Sequence, residues 1–275
     1  MIKKRIFKKH NYKSFWYNGK TIRMAIDQSK PIKELEYPEF YDVKITGYCK
    51  GGCPYCYMNS TDDQTFYYNC IEKINDFFGN MTKNQRPYQV AIGGGEPTTH
   101  PDFIDILKAF RKLDIEPNYT TNGMVDDDIL CESCNYCGGV ALSCHKHLER
   151  YWKSAALKYY EKTPLNFHLV ISDKESIDWF VDIFDEYKHM IDFFVLLPYV
   201  SQGRAKKKDI DWEYLLTKLP ENQSNIAFGA GFYSYLFEGN HNINVSLYEP
   251  EIMSKFLDMK DMSIYSSSFS NERIN

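Results

Sequence analysis

From residue 41 onward, short apolar runs alternate with longer amphipathic stretches. In "YDVKITGYC" Val43 and Ile45 alternate with polar neighbours, the period of a strand. "TFYYNCIEKINDFF" follows with Phe66, Cys70, Ile74, Phe77 and Phe78 at helical spacing, which predicts a helix with Cys70 in its buried face. "YQVAIGGGEP" is a strand stopped by glycines and a proline. "HPDFIDILKAFRKL" repeats Phe103, Ile106, Leu107 and Phe110 as a helix does, with Pro101 in its first turn. The alternation continues through the strand "IEPNYTTNG", a short polar helix at "DDDILCES", the strand "GGVALSC" and the helix "KHLERYWKSAALKYYEK". After the strand "LNFHLVIS", Ser172 stands three residues before Glu175, a capping-box pattern opening the next helix. "IDFFVLLPYV" is a sixth strand, and "NIAFGAGFY" and "INVSLYEP" are candidates for two more.

Repeated strand–helix pairs require parallel strands with helical crossovers, so the fold class is α/β and the architecture a partial or complete (β/α) barrel. Three segments follow: an N-terminal extension at 1–40 with a hairpin at Asn18-Gly19, a core at 41–205, and a C-terminal part at 206–275 that completes the barrel or covers a pocket.

Composition narrows the possibilities. Of the 275 residues 43% are hydrophobic and 16% aromatic, enough for a packed interior. The net charge of −4 includes a basic start carrying Lys3, Lys4, Arg5, Lys8 and Lys9, so the rest is more acidic than the total indicates and is unsuited to gripping duplex nucleic acid. That start and Lys206–Lys208 read as solvated charge runs. No apolar stretch follows the basic start and none is long enough to span a bilayer, so the expected location is cytoplasmic, with no membrane partner. In a compartment that keeps thiols reduced, clustered cysteines indicate metal rather than disulfides.

The clustered cysteines lie in "TGYCKGGCPYCYMN". Three thiolates cannot close a tetrahedral structural zinc site, which takes four protein ligands. They can hold a cubane iron–sulfur cluster by three of its irons and leave the fourth open. Cys49-x-x-x-Cys53-x-x-Cys56, with Tyr55 before the last cysteine, resembles the signature of the radical S-adenosylmethionine (radical SAM) enzymes. The resemblance implies a 4Fe–4S cluster on these three cysteines, with its open iron chelating S-adenosylmethionine.

Four further elements extend the resemblance, each at the C-terminal end of a predicted strand, where barrels of this kind place active sites. "GGGEP" looks like the family's glycine-glycine-glutamate motif, implying that Glu96 accepts the cofactor's ammonium and that Gly94 and Gly95 let it approach the backbone. "TTNG" implies contacts from Thr121 and Asn122, and "LSCH" a polar contact from Ser143. The fifth and sixth strands imply adenine packing by Val170, Ile171 and Leu197. "GRA" at 203–205 implies a contribution from Arg204.

The expected activity is reductive cleavage of S-adenosylmethionine to a 5′-deoxyadenosyl radical that abstracts hydrogen from an unidentified small molecule, peptide or nucleotide. Flavodoxin or ferredoxin would be the electron donor. Alternatives are an activase that installs a glycyl radical on a partner protein, and a non-catalytic iron–sulfur or zinc scaffold. Cys144, delivered by its strand to the catalytic face, is a candidate hydrogen donor. Cys131, Cys134 and Cys137 precede that strand, either packed on a helix or binding a second metal on the opposite face. Cys137 would lie about 20 Å from Cys144 at ~3.3 Å per residue, so the two cannot share an ion.

Overall fold

A computed structural model describes residues 2–221, 224–232, 235–236 and 250–274. Six strands run in parallel and in chain order: β4 (Phe40–Thr46), β5 (Gln89–Gly94), β6 (Glu116–Thr121), β7 (Val140–Cys144), β8 (Leu165–Ile171) and β9 (Phe193–Pro198). Between them lie α1 (Cys70–Gly79), α2 (Phe103–Lys112), α3 (Asp127–Ser133), α4 (Glu149–Tyr159) and α5 (Lys174–Tyr187), with α6 (Trp212–Lys218) after β9. β10 (Ile226–Phe228) extends the sheet in parallel beside β9. On the other flank β11 (Ser254–Asp258) pairs in parallel with β4 and β12 (Ser263–Tyr265) pairs antiparallel with β11. Among the described residues the two ends of this nine-strand sheet do not pair with each other, which makes a partial barrel.

Burial alternates along most of the core strands. On β8, Leu165, Phe167, Leu169 and Ile171 are buried in the layer between sheet and helices, where Phe167 meets Trp152 of α4 and Tyr187 of α5. Asn166, His168 and Val170 therefore face the inside of the barrel. On β7, Val140, Leu142 and Cys144 join the helix-side core, which leaves Ala141, itself buried, and Ser143 on the inward face.

The N-terminal strands β1 (Lys3–Phe7), β2 (Tyr12–Tyr17) and β3 (Lys20–Ala25) form a separate antiparallel sheet. Asn18 and Gly19, both at positive φ, make the tight turn between β2 and β3. Arg5 is not part of a solvated run. The residue is 2% exposed, and its guanidinium donates to the carbonyls of Tyr37, Pro38, Asn84 and Gln85, fastening this sheet to the body. Glu39, also buried, accepts from Tyr12 and Arg23.

Three local expectations change. α1 starts at Cys70, because Asn69 adopts a left-handed conformation and residues 65–67 bond back to the end of β4, which takes Phe66 out of the helix. Pro101 lies before α2 rather than in its first turn. The cap of α5 is Asp173, whose carboxylate accepts from the Ser176 amide at 3.0 Å; Ser172 is one residue too early. Of the two additional strand candidates, "NIAFGAGFY" contains β10, while "INVSLYEP" lies almost wholly outside the described residues.

Candidate active site

The loop after β4, residues 47–69, carries Cys49, Cys53 and Cys56. It is pinned by backbone bonds from Gly47 to Thr65 and from Cys49 to Thr61, and it turns on itself where the Cys56 amide donates to Cys53. Gly52 adopts φ +62°, a conformation glycine takes without strain. The sulfurs collect amide donors: Gly51 N–H to Cys49 at 3.3 Å, Ser60 N–H to Cys56 at 3.4 Å, and the Asn122 side chain to Cys49 at 3.7 Å. Burial pushes the Cys53 thiol up to about 12, with the neighbouring Cys49 and Cys56 adding to the rise; burial likewise raises Cys49.

Among the described residues no three His, Cys, Asp or Glu side chains converge tightly enough to hold a single metal ion. A cluster whose ligands bind different iron atoms needs a wider triangle than one ion does. Half-buried thiols with amide donors, and the Arg204 guanidinium near Cys53, suit a cationic iron core, which would stabilise all three as thiolates.

Glu96 lies over this loop. It is 2% exposed; one carboxylate oxygen accepts from the Thr98 hydroxyl at 2.7 Å and the other from the Asn122 amide at 2.8 Å. Burial raises its carboxyl above the usual range despite these bonds. Asn122 thus joins Glu96, through its backbone, to Cys49, through its side chain. Thr121 also bonds the Glu96 carboxylate, and its hydroxyl accepts from the Gly123 amide. It points to the helix side of β6, so its place is behind Glu96.

The glycines of "GGGEP" also make room for the chain itself. A side chain on Gly95 would collide with the Tyr48 carbonyl and one on Gly94, at φ +115°, with the Thr46 carbonyl. The space they leave is filled by the end of β4 and the start of the cysteine loop, where the Gly95 amide donates to Thr46 and the Glu96 amide to Tyr48, both at 2.8 Å.

Inside the barrel, Ser143, Val170 and Leu197 face the interior, and His168 lies in register between Ser143 and Val195. Ile171 does not join them. It is fully buried on the helix side, one residue out of phase with Val170. Cys144 is corrected for the same reason: it is 1% exposed in the helix-facing core and burial raises its thiol well above the ordinary value, which removes it as a hydrogen donor on the catalytic face. Cys131 is exposed at the far rim, while Cys134 bonds Leu130 in its own helix and Cys137 contacts Thr163.

Arg204 braces the cysteine loop. Its guanidinium donates to the carbonyls of Cys53 at 3.2 Å and Ser60 at 2.6 Å, and its own amide donates to Cys56 at 3.1 Å. Two histidines escaped the sequence reading. The Tyr55 hydroxyl lies 2.9 Å from Nδ1 of His145, and Nε2 of His147 donates to the Gly51 carbonyl at 3.0 Å. Burial and the neighbouring His147 lower His145 to about 4. Their only signal was "CHKH" directly after a strand that ends at the site.

The sequence matches the model of the Radical SAM superfamily over residues 43–192, more than half of the chain. The chain belongs to the Radical SAM superfamily. This radical SAM enzyme is also 27% identical over 85 residues to the 7,8-dihydro-6-hydroxymethylpterin dimethyltransferase of Methanocaldococcus jannaschii, a match covering 30% of this chain and 17% of that protein. Among solved structures, Streptococcus suis SuiB bound to precursor peptide SuiA superposes with a TM-score of 0.67 at 21% identity, covering 87% of this chain and 62% of SuiB. SuiB bound to S-adenosylmethionine gives 0.64 at 18% identity, covering 88% and 64%. The chain thus spans less than two thirds of the length of these relatives, and at such identity the two structures speak for the fold. Membership in an enzyme superfamily sets aside the non-catalytic scaffold, and it implies S-adenosylmethionine and iron–sulfur chemistry. Among the described residues no helix is long and apolar enough to cross a membrane.

Proposed function

We propose that this radical SAM enzyme binds a 4Fe–4S cluster through Cys49, Cys53 and Cys56, cleaves S-adenosylmethionine reductively and abstracts hydrogen from a substrate held inside the barrel. The observation that carries the reading is Asn122 joining Glu96 to Cys49, which ties the acidic group suited to the cofactor's ammonium to the candidate cluster loop. When bound, the reduced cluster supplies the electron that splits S-adenosylmethionine into methionine and a 5′-deoxyadenosyl radical. The chain's own residues bind and orient. Glu96 accepts the ammonium, Asn122 and Ser143 offer polar contacts, Val170 and Leu197 give apolar surface to adenine, and the strand interior shields the radical from water. A flavodoxin or ferredoxin supplies the electron.

In this reading residues 41–205 are the catalytic core, 1–40 an extension and 206–275 a cover. The 266–271 segment supports the last role, since Phe269 packs on Tyr57 of the cysteine loop with ring centroids 4.8 Å apart. SuiB's bound precursor peptide supports a peptide or small molecule as substrate.

The test is anaerobic reconstitution with iron and sulfide, addition of dithionite and S-adenosylmethionine, and chromatography for 5′-deoxyadenosine. The wild type should form it well above a Cys53→Ala control. A cluster-loaded wild type that forms no more than the control overturns the reading.

A further inference from the structure

The inner face of the barrel carries polar groups that have no hydrogen-bond partner among the described residues. Asn166 of β8 has its side-chain carbonyl oxygen fully buried without a hydrogen-bond partner. His168, two residues along the same face, forms no hydrogen bond among the described residues, and its register neighbours are Ser143 and Val195. Asp42 projects from the inner face of β4 between Ala91 of β5 and Phe256 of β11, two apolar neighbours. It too has neither hydrogen bond nor ion pair among the described residues. Lys44, the next inward position on that strand, is held by Asp258 at 3.4 Å. Folded proteins satisfy nearly all their buried polar groups, and the Asn166 oxygen is such a group left without a partner; Asp42 and His168, half-buried and unpaired among the described residues, add two more polar groups that this concave face offers to a partner.

We propose that Asp42, Asn166 and His168 select the substrate, and that the substrate carries a basic nitrogen group, an amine or guanidinium. The inference rests on the radical SAM reading only in taking the barrel interior as the substrate site. The chemistry follows from what the three offer: an amide oxygen and one imidazole nitrogen that accept, beside groups of the same side chains that donate, and a carboxylate that when ionised only accepts, so Asp42 sets the charge of the partner. Burial alone drives two of them toward neutrality, raising Asp42 to about 7 and lowering His168 to about 4. Among the described residues no cation pairs with Asp42 to hold it ionised. A substrate ammonium or guanidinium supplies both the missing charge and the missing donors, whereas an anion would meet the Asp42 carboxylate.

The probes are 1-aminopentane and 1-pentanol, equal in chain length and differing in the terminal group. Each is titrated into the reconstituted enzyme while the His168 ring resonance, assigned with His168→Gln, is followed by NMR. The amine should bind the wild type about tenfold more tightly than the alcohol or better, and the ratio should fall to about one in Asp42→Asn, where shape is kept and charge removed. Equal affinities in the wild type overturn the proposal without recourse to any variant, and so does a preference for the amine that persists in Asp42→Asn. Formation of 5′-deoxyadenosine by the same wild-type preparation reports separately on the cofactor: its absence overturns the radical SAM mechanism, while the binding ratio alone decides the amine.

Discussion

The guanidinium of Arg204 donates to the carbonyl of Cys53 at 3.2 Å, across 151 positions of sequence. The loop after β9 thereby clamps the loop after β4. Gly203 makes the approach possible at φ +62°, because any side chain there would strike the carbonyls of Cys56 and Tyr57. Gly203→Ala and Arg204→Ala should each loosen the cysteine loop and lower the iron retained per chain after reconstitution and desalting, Gly203→Ala the more strongly. Wild-type iron content in both variants would leave the clamp without a function in cluster retention.

Glu96→Gln keeps the shape of the side chain and its place beside Thr98 and Asn122 while removing the charge. Loss of a charge-assisted bond is worth about 1.5–3 kcal/mol, or roughly ten- to a hundredfold in affinity for S-adenosylmethionine. Iron content should stay at the wild-type level. An unchanged dissociation constant, measured by equilibrium dialysis on the cluster-loaded protein, would take Glu96 out of the cofactor site.

Cys144→Ala removes one sulfur from the packed layer between sheet and helices. The expected cost is about 1 kcal/mol of stability, read as a lower denaturant midpoint. The number of substrate molecules turned over per S-adenosylmethionine cleaved should not change once a substrate is in hand. A drop in that coupling at unchanged stability would return Cys144 to the chemistry.

Acid stability should depend on His168. Its imidazole titrates at about 4 in the fold against an ordinary 6.5, so between these values the unfolded chain holds a proton that the folded chain does not. Stability at this residue therefore rises with pH across the window and is lost as pH falls through it. His145 acts with the same sign. Asp42, raised to about 7 from 3.8, acts with the opposite sign, favouring the fold below about 4 and losing that advantage by about 7. His168→Gln should flatten the rise in urea midpoint between pH 4 and 6.5 in the substrate-free protein. A profile parallel to the wild type would mean that His168 is not held neutral.

The order of strands and helices from β4 to β9 was legible because each amphipathic period is local: a helix or strand shows its buried face within a dozen residues. The three-cysteine spacing and "GGGEP" were legible for the same reason. The sequence could not fix the phase of each strand. Val170 and Ile171, like Ser143 and Cys144, are neighbours of similar character, and a one-residue phase decides which of each pair faces the barrel interior. Only packing of the helices against Leu169, Ile171, Leu142 and Cys144 settled it.

By itself, the sequence determined the α/β alternation, the hairpin at Asn18-Gly19 and the group of residues from which the site is drawn. Tertiary structure alone decided that the sheet stays open, that Arg5 leaves solvent to fasten the first sheet, that Arg204 reaches Cys53, and that Asp42 and His168 share one interior. Each of these depends on contacts between residues far apart in the chain, whose pairing carries no local signature; folding brings them together through the burial of apolar faces, and their own hydrogen bonds then fix the geometry.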